Sequence, residues 1–337
     1  MKTLLRIVFA LVLPAGAAVL FVAVSLTRPY KGFESPVYAV LEKGMSTPEF
    51  ATRLAQSGVI RYRWQFLLVR MLRPRTVLLA GEYQFSKPES VLQIFDRLAK
   101  GDVYFYQLTV PEGSNIFDIA ALLNQAGLTR ASDFLSVAAD GRLIRDLDPQ
   151  APSLEGYLFP STYRVNHLTT APEICREMTA QFRKHWKQLT GGKARAVHEV
   201  VTLASMVEKE AATRSDRPLI ASVFFNRLQK KMRLECDPTT IYAAQLEQRY
   251  RGTIYRSDLT SQNSYNTYQH DGLPPGPIAN PGVDSLNAVL HPAESDYLYF
   301  VVKPGSSGAH QFSRTLTAHE EAVRKYRRDQ AKPLQAR

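Results

Sequence analysis

Apolar residues are distributed along this chain in three textures. The first, Ile7 to Leu26, is a run of 20 residues without a charge, Ser25 being its only polar side chain. At about 1.5 Å per residue a helix of that length reaches roughly 30 Å, the thickness of a bilayer core. Lys2 and Arg6 precede the run and Arg28 and Lys31 follow it, so the basic flanks say little about orientation. Ala15-Gly16-Ala17 offers the small residues of a signal-peptide cleavage site, which is the competing reading. The run continues through Val19, Leu20, Phe21 and Val22, which a cleaved segment does not need, and this favours an uncleaved anchor.

The second texture is α+β. After a short linker containing Pro and Gly (Arg28 to Pro36), Val37 to Leu41 predicts a strand. Ser46-Thr47-Pro48-Glu49 predicts a helix start, a hydroxyl cap before Pro in the first turn. Phe50, Leu54 and Ala55 form its apolar stripe and Gly58 closes it. A second helix is expected over Trp64 to Leu72, a strand over Leu78 to Phe85, and a third helix carrying Val91, Leu92, Phe95 and Leu98 up to Gly101. An internal echo follows. Gly44, Glu49, Phe50, Ala51, Leu54, Gln56 and Gly58 recur in kind as Gly113, Asp118, Ile119, Ala120, Leu123, Gln125 and Gly127, at a constant offset of 69 residues. Two unrelated capped helices can resemble each other by chance; a duplicated small α/β unit is the preferred reading.

From about Pro152 the third texture begins. Helical periodicity covers Glu173 to Thr190, Ala194 to Ala212 and Arg217 to Lys230. A Pro/Gly-rich loop follows, then a strand over Tyr297 to Val302, a turn at Pro304-Gly305 and a charged helix from Thr317.

Composition narrows the class. With 337 residues, 45% hydrophobic and 22% charged, 18 Gly and 20 Pro, the chain is not collagen-like, low-complexity or wholly disordered. It is long enough for two or three packed units. A net charge of +11 favours an anionic partner, but the basic residues are dispersed without a nucleic-acid-binding module. Cys175 and Cys236 are too few for a disulfide framework or a four-cysteine zinc site, and no metal or cofactor is implied.

Candidate chemistry centres on Glu208-Lys209-Glu210, near the end of a largely apolar helix. At 100° per residue the two glutamates lie about 80° to either side of the apolar stripe, each at the edge of the buried face. Periodicity does not choose between them, and two ordinary boundary charges would look the same; Lys209 points to solvent. Asn263-Ser-Tyr265-Asn266-Thr-Tyr268 places amides and tyrosines without a charge, a surface suited to sugar hydroxyls and apolar sugar faces, though a rigid surface turn is the plain alternative. It runs into Gly272 to Gly282, where prolines stiffen the backbone as a flexible linker would not. Glu155-Gly156-Tyr157-Leu158-Phe159-Pro160 sets one carboxylate before aromatics, and Asp237-Pro238 predicts a helix N-cap. His198-Glu199 fails the zincin spacing because position 202 is Thr, and Ser205 with Lys209 misses S-x-x-K. No P-loop, Rossmann or nucleophile-elbow glycine pattern occurs.

In this order and combination, Glu155 to Pro160, Glu208-Lys209-Glu210, Asn226-Arg227-Leu228, Asp237-Pro238-Thr239, Tyr265 to Tyr268, the Pro/Gly loop and Tyr297 to Val301 resemble the MltG/YceG family of endolytic murein transglycosylases. The resemblance implies a single-pass inner-membrane protein: residues 1–6 cytoplasmic, 7–27 spanning, 28–36 a linker, 37–150 a LysM-like region, and 151–330 a mixed α+β periplasmic catalytic domain. It implies lyase cleavage between N-acetylmuramic acid and N-acetylglucosamine to 1,6-anhydro ends, limiting the length of nascent strands, with peptidoglycan as partner and coupling to wall synthases. Glu210 is carried over as the catalytic acid. Glu155, Tyr157, Glu208, Asn226, Asp237, Asn263, Tyr265, Asn266 and Tyr268 become supporting or substrate-holding residues. Cys236 and Ser161 depart from the family pattern, which usually has Ser or Thr and Asp there. A wall-binding protein without activity, and a muramidase that uses water, remain the rivals.

Overall fold

Local capping signals fix several helix boundaries. Ser46 accepts from the Glu49 amide and starts a helix whose first turn tolerates Pro48, and Ser90 forms a reciprocal capping box with Gln93. Gly101 ends the latter helix in the left-handed region, where a side chain would be strained. The computed structural model describes residues 2–193 and 196–330, with side chains from Val12 to Asp329 within those ranges. The expected cytoplasmic tail, the start of the apolar run up to Leu11 and the expected helix start at Ala194 therefore lie wholly or in their side chains outside the described residues.

The order is α1 (Lys2–Thr27), β1 (Val37–Leu41), α2 (Thr47–Gln56), α3 (Arg63–Leu72), β2 (Gly81–Phe85), α4 (Val91–Lys100), β3 (Tyr106–Thr109), α5 (Ile116–Gln125), α6 (Ala131–Ala138), β4 (Thr162–Val165) and α7 (Ala171–Thr190). Then come α8 (Val197–Glu210), α9 (Arg217–Gln229), α10 (Asp237–Leu246), α11 (Arg256–Leu259), α12 (Val283–Leu290), β5 (Tyr299–Val302), β6 (His310–Ser313) and α13 (Leu316–Gln330). The strands pair two by two, β1 with β2, β3 with β4 and β5 with β6, so the architecture is α+β. The predicted strand from Leu78 begins only at Gly81, because Leu79 donates to the Leu98 carbonyl instead of to a neighbouring strand.

Two compact units divide the chain after Tyr106, with Asn166–Leu168 returning to the first. The sequence reading joined 37–150 in one region. By packing, 107–150 belongs with the second unit instead. In the first unit β1 and β2 are antiparallel, Val37 opposite Phe85 and Leu41 opposite Gly81. Phe50, Leu54, Phe66, Val69, Phe85, Ile94, Phe95 and Leu98 fill the core. The end of α1 joins that core: Leu26 is buried, Val22 packs against it, and Gln65 donates to both the Ser25 carbonyl and its hydroxyl. Nor is 28–36 a free linker. Tyr30 exchanges backbone hydrogen bonds with Glu89, and the Gly32 amide donates to the Gly58 carbonyl. Among the described residues no helix is long and apolar enough to cross a membrane.

In the second unit α8 packs against α9, α10 and α12. Val201, Leu203, Ala204, Met206 and Val207 are buried along its middle, while its first turn, with Glu199, and its last, with Lys209, reach the surface. That placement decides where chemistry is available.

Candidate active site

The three final side chains of α8 diverge. Glu208 turns to one side, accepting from the Arg217 guanidinium at 2.9 Å and from the Gly282 amide at 3.0 Å. Arg217 is itself nearly buried and donates to the Ser285 hydroxyl. Lys209 is exposed, as expected, and its Nζ also donates to the Gly113 carbonyl at 3.1 Å. Glu210 turns the other way, and its Oε1 accepts from the Cys236 thiol at 3.2 Å. Burial pushes the Glu210 carboxyl up to about 7; the thiol donor opposes this and the neighbouring Asp237 charge adds to it. An acid that holds its proton near neutral pH has the proton affinity required of a general acid.

The Pro/Gly loop lies along α8 and is tied to it at three points. His198 Nε2 meets the Pro275 carbonyl at 3.1 Å, the Ile278 amide donates to Ser205 Oγ at 3.0 Å, and Gly282 donates to Glu208. Positions 198, 205 and 208 share one helix face, since intervals of seven and three return to the same side. A Cβ at Gly282 would sit 2.0 Å from the Glu112 carboxyl, so a side chain there would require the half-exposed Glu112 to swing away.

Glu155 anchors the other side of the unit. It is buried; Oε2 accepts from the Ile116 amide, the first of α5, and Oε1 from Asn280 Nδ2, both at 3.0 Å. Burial pushes its carboxyl up to about 8. Asn280 also donates to the Ser114 carbonyl and accepts from the Leu158 amide, which closes the network. Gly156 adopts a φ of +87°, and a Cβ would meet Pro277 at 2.5 Å and Val201 at 2.8 Å. Tyr157 is buried, with its hydroxyl on Asp148, whose carboxylate also meets His198 Nδ1 at 2.8 Å.

Near Glu210 the sugar-binding expectation needs revision. Asn266 is fully buried, its Nδ2 directed at the carbonyls of Asp258, Leu259 and Ser261, and its Oδ1 accepting from Thr240 and the Tyr268 amide. It staples the loop and has no amide to offer a sugar. Asn263, Tyr265 and Tyr268 are half-buried; Asn263 donates to Glu247, the Tyr265 ring lies 5.1 Å from that of Tyr242, and the Tyr268 hydroxyl donates to Asp237 at 2.7 Å. Asp237 is not the N-cap. Cys236 occupies that position without a side-chain cap, and Asp237 is the first helical residue. Asn226 donates to the Ser295 and Tyr297 carbonyls and so holds the approach to β5.

The structure thus brings Glu210, Cys236, Asp237 and Tyr268 together. It consigns Glu155, Tyr157, Asn226 and Asn266 to framework contacts. Sequence reasoning missed Arg217, His198, Ser205 and Asn280 as site builders. Of these, His198 and Ser205 left a trace, since they share a helix face with Glu208; Asn280 left none, because its partners are more than a hundred residues away. Among the described residues no group of three or more His, Cys, Asp or Glu side chains is placed to hold a metal ion.

Comparison with known proteins identifies relatives of the whole chain. An endolytic murein transglycosylase of Bacillus subtilis (strain 168) is 34% identical over 330 residues, covering 92% of this chain and 90% of that protein. One from Streptococcus pneumoniae (strain D39) is 31% identical over 293 residues, covering 77% of this chain and 53% of that protein. The crystal structure of a YceG-like protein from Listeria monocytogenes superposes with a TM-score of 0.56 at 32% identity, covering 86% of this chain and 99% of that one. The YceG-like family model matches residues 39–325, and the chain belongs to the YceG-like family.

Proposed function

We propose that this protein is an endolytic murein transglycosylase, a lyase acting on peptidoglycan, with Glu210 as its single acid and base. The observation that carries the assignment to Glu210 is a carboxyl raised to about 7 at the surfacing end of a buried helix. The two other buried carboxyls of the site motifs are already engaged: Glu208 by Arg217 and Gly282, and Glu155 by Ile116 and Asn280. Ordinary glycosidases need a second carboxylate, as nucleophile or as base for water. A transglycosylase does not, because the 6-hydroxyl of the muramic sugar is tethered to the reacting carbon and proximity replaces the bound water.

In the proposed step Glu210 gives its proton to the glycosidic oxygen as the bond from C1 of the muramic sugar breaks. The 6-oxygen bonds to C1, and the hydroxyl proton returns to Glu210. No water enters, so the 1,6-anhydro product is one water lighter than a hydrolysis product. The exposed sides of Asn263, Tyr265 and Tyr268 are the sugar contacts in this reading.

The surroundings extend the proposal. The first unit is a LysM-like module: its β-α-α-β order and antiparallel β1–β2 pair support this, and the 41–47 and 74–80 loops line a cavity of about 520 Å³. The charge-free run Ile7–Leu26, whose first five side chains lie outside the described residues, makes α1 a single inner-membrane span in this reading, with the second unit in the periplasm. In support, Val12, Leu13, Val19, Leu20 and Phe21 are all more than 60% exposed, which an aqueous helix does not sustain. Limiting nascent strand length beside wall synthases follows as the proposed physiological setting.

Glu210→Gln tests the assignment. Release of anhydro-ended fragments from purified peptidoglycan should fall about 10²- to 10⁴-fold or more with the fold retained, and Glu208→Gln should be milder. Mass spectrometry that found reducing ends would favour a muramidase, with Asp237, the carboxylate Glu210 feels electrostatically, as its base. Near-normal turnover of Glu210→Gln would remove Glu210 from the role.

A further inference from the structure

We propose that Cys236 is a positioning residue for the catalytic acid: its buried thiol, aimed at Glu210 Oε1, sets the proton affinity of that carboxyl and hence the working pH range. This inference rests on the reading of Glu210 as the acid.

The thiol has little freedom. The Cys236 amide donates to Thr267 Oγ1 at 3.0 Å, and its carbonyl accepts from the amide and the hydroxyl of Thr239. The two threonine hydroxyls lie 2.9 Å apart, so the Asn263–Tyr268 loop and the start of α10 clamp the residue from both sides. Cys236 is 1% exposed, and Sγ lies 3.2 Å from Glu210 Oε1. Burial and the adjacent carboxyl push the thiol well above its ordinary range, so it stays protonated and acts as a donor, not as a nucleophile.

A thiol is a poor hydrogen-bond donor, and a donor to a carboxylate stabilises the charged form in proportion to its strength. Cys236 therefore orients Oε1 while leaving the proton on Glu210 near neutrality. A hydroxyl in its place would hold the carboxylate more firmly and lower the affinity for the proton. Removing the donor would raise it. The other groups around Glu210 are accounted for. From α10, Asp237 raises its pKa, its carboxylate held by the Tyr268 hydroxyl. On α8 itself, Lys209 and Glu208 are turned to Gly113 and Arg217.

The test is the pH profile of kcat/KM for anhydro-fragment release by the full chain, measured for Cys236→Ser and Cys236→Ala. Because the acid must be protonated, activity falls as pH rises through its pKa. That falling limb should move down by about one pH unit in Cys236→Ser and upward in Cys236→Ala. Loss of packing would not move the two in opposite directions. A limb unmoved in both variants, or moved the same way in both, overturns the proposal. A ¹³C-NMR titration of the Glu210 carboxyl in the intact protein and in Cys236→Ser reads the same shift without turnover, and an unchanged titration there also overturns it. Retained activity in Glu210→Gln would instead refute the acid assignment, which the titration does not depend on.

Discussion

The two segments that share the 69-residue echo differ in what their common parts are made to do. α2 and α5 are related by the same offset of 69 residues at both ends, each preceded by a glycine with positive φ and followed by another. Both copies continue with a second helix, a strand that pairs back on the first, and a third helix closed by a left-handed glycine, Gly101 or Gly191. They part between the second helix and the returning strand. In the first copy that stretch is 73–80; in the second it is 139–161, and it carries Asp148, Glu155 and Tyr157. The turn before the first helix differs as well. In the first copy it borders an open cavity; in the second it is held by Lys209 at the Gly113 carbonyl and by Asn280 at Ser114 and Gly113. Caps and stripes specify the shared part locally, and the buried carboxylates Asp148 and Glu155 lie where the two segments stop being alike.

Equivalent core positions offer the strongest way to break the comparison. Leu54 and Leu123 are both fully buried, one in each copy. Replacing either with Ala should lower stability by about 2–5 kcal/mol, read by chemical denaturation. Leu123→Ala should also lower lytic activity at a fixed temperature, because that segment's Gly113 carbonyl holds Lys209 of α8 and Gly156 packs against Val201. Equal losses of activity would erase the functional difference between the copies.

Glu155, which has no counterpart in the shorter loop, sharpens the comparison through pH. Its folded carboxyl titrates near 8 against an ordinary value of 4.5. The folded state therefore keeps a proton that the unfolded chain has lost, and this stabilising contribution is complete below pH 4.5 and declines as pH rises to about 8. Thermal melts across that window should show the second unit weakening, and Glu155→Gln should flatten the slope. A slope that Glu155→Gln leaves unchanged would assign the pH dependence to other groups.

The smallest effect is expected at Lys209. Lys209→Met removes one hydrogen bond to the Gly113 carbonyl, so kcat/KM should fall about three-fold with the pH profile unchanged. A shifted profile would mean that Lys209 acts on the charge of Glu210 and not through the turn.

Much of this was legible from residues alone. The Ser46 cap, the Gly44 and Gly113 turns, the 69-residue echo and the helical stripes are local, and local capping and periodicity act over a few residues wherever they occur. The placement of Glu208 and Glu210 at the edges of a buried face followed from periodicity as well. What periodicity could not settle was which glutamate stays free to act. Arg217 and Gly282 engage Glu208, the Cys236 thiol donates to Glu210, and Asn266 turns inward to hold a loop. It also missed that 107–150 packs with the second unit and that 28–36 is pinned in place. Those outcomes depend on desolvation and on partners lying anywhere from five to more than a hundred residues away. A side chain's proton affinity and its free hydrogen-bonding capacity belong to its surroundings, and only the folded chain creates them.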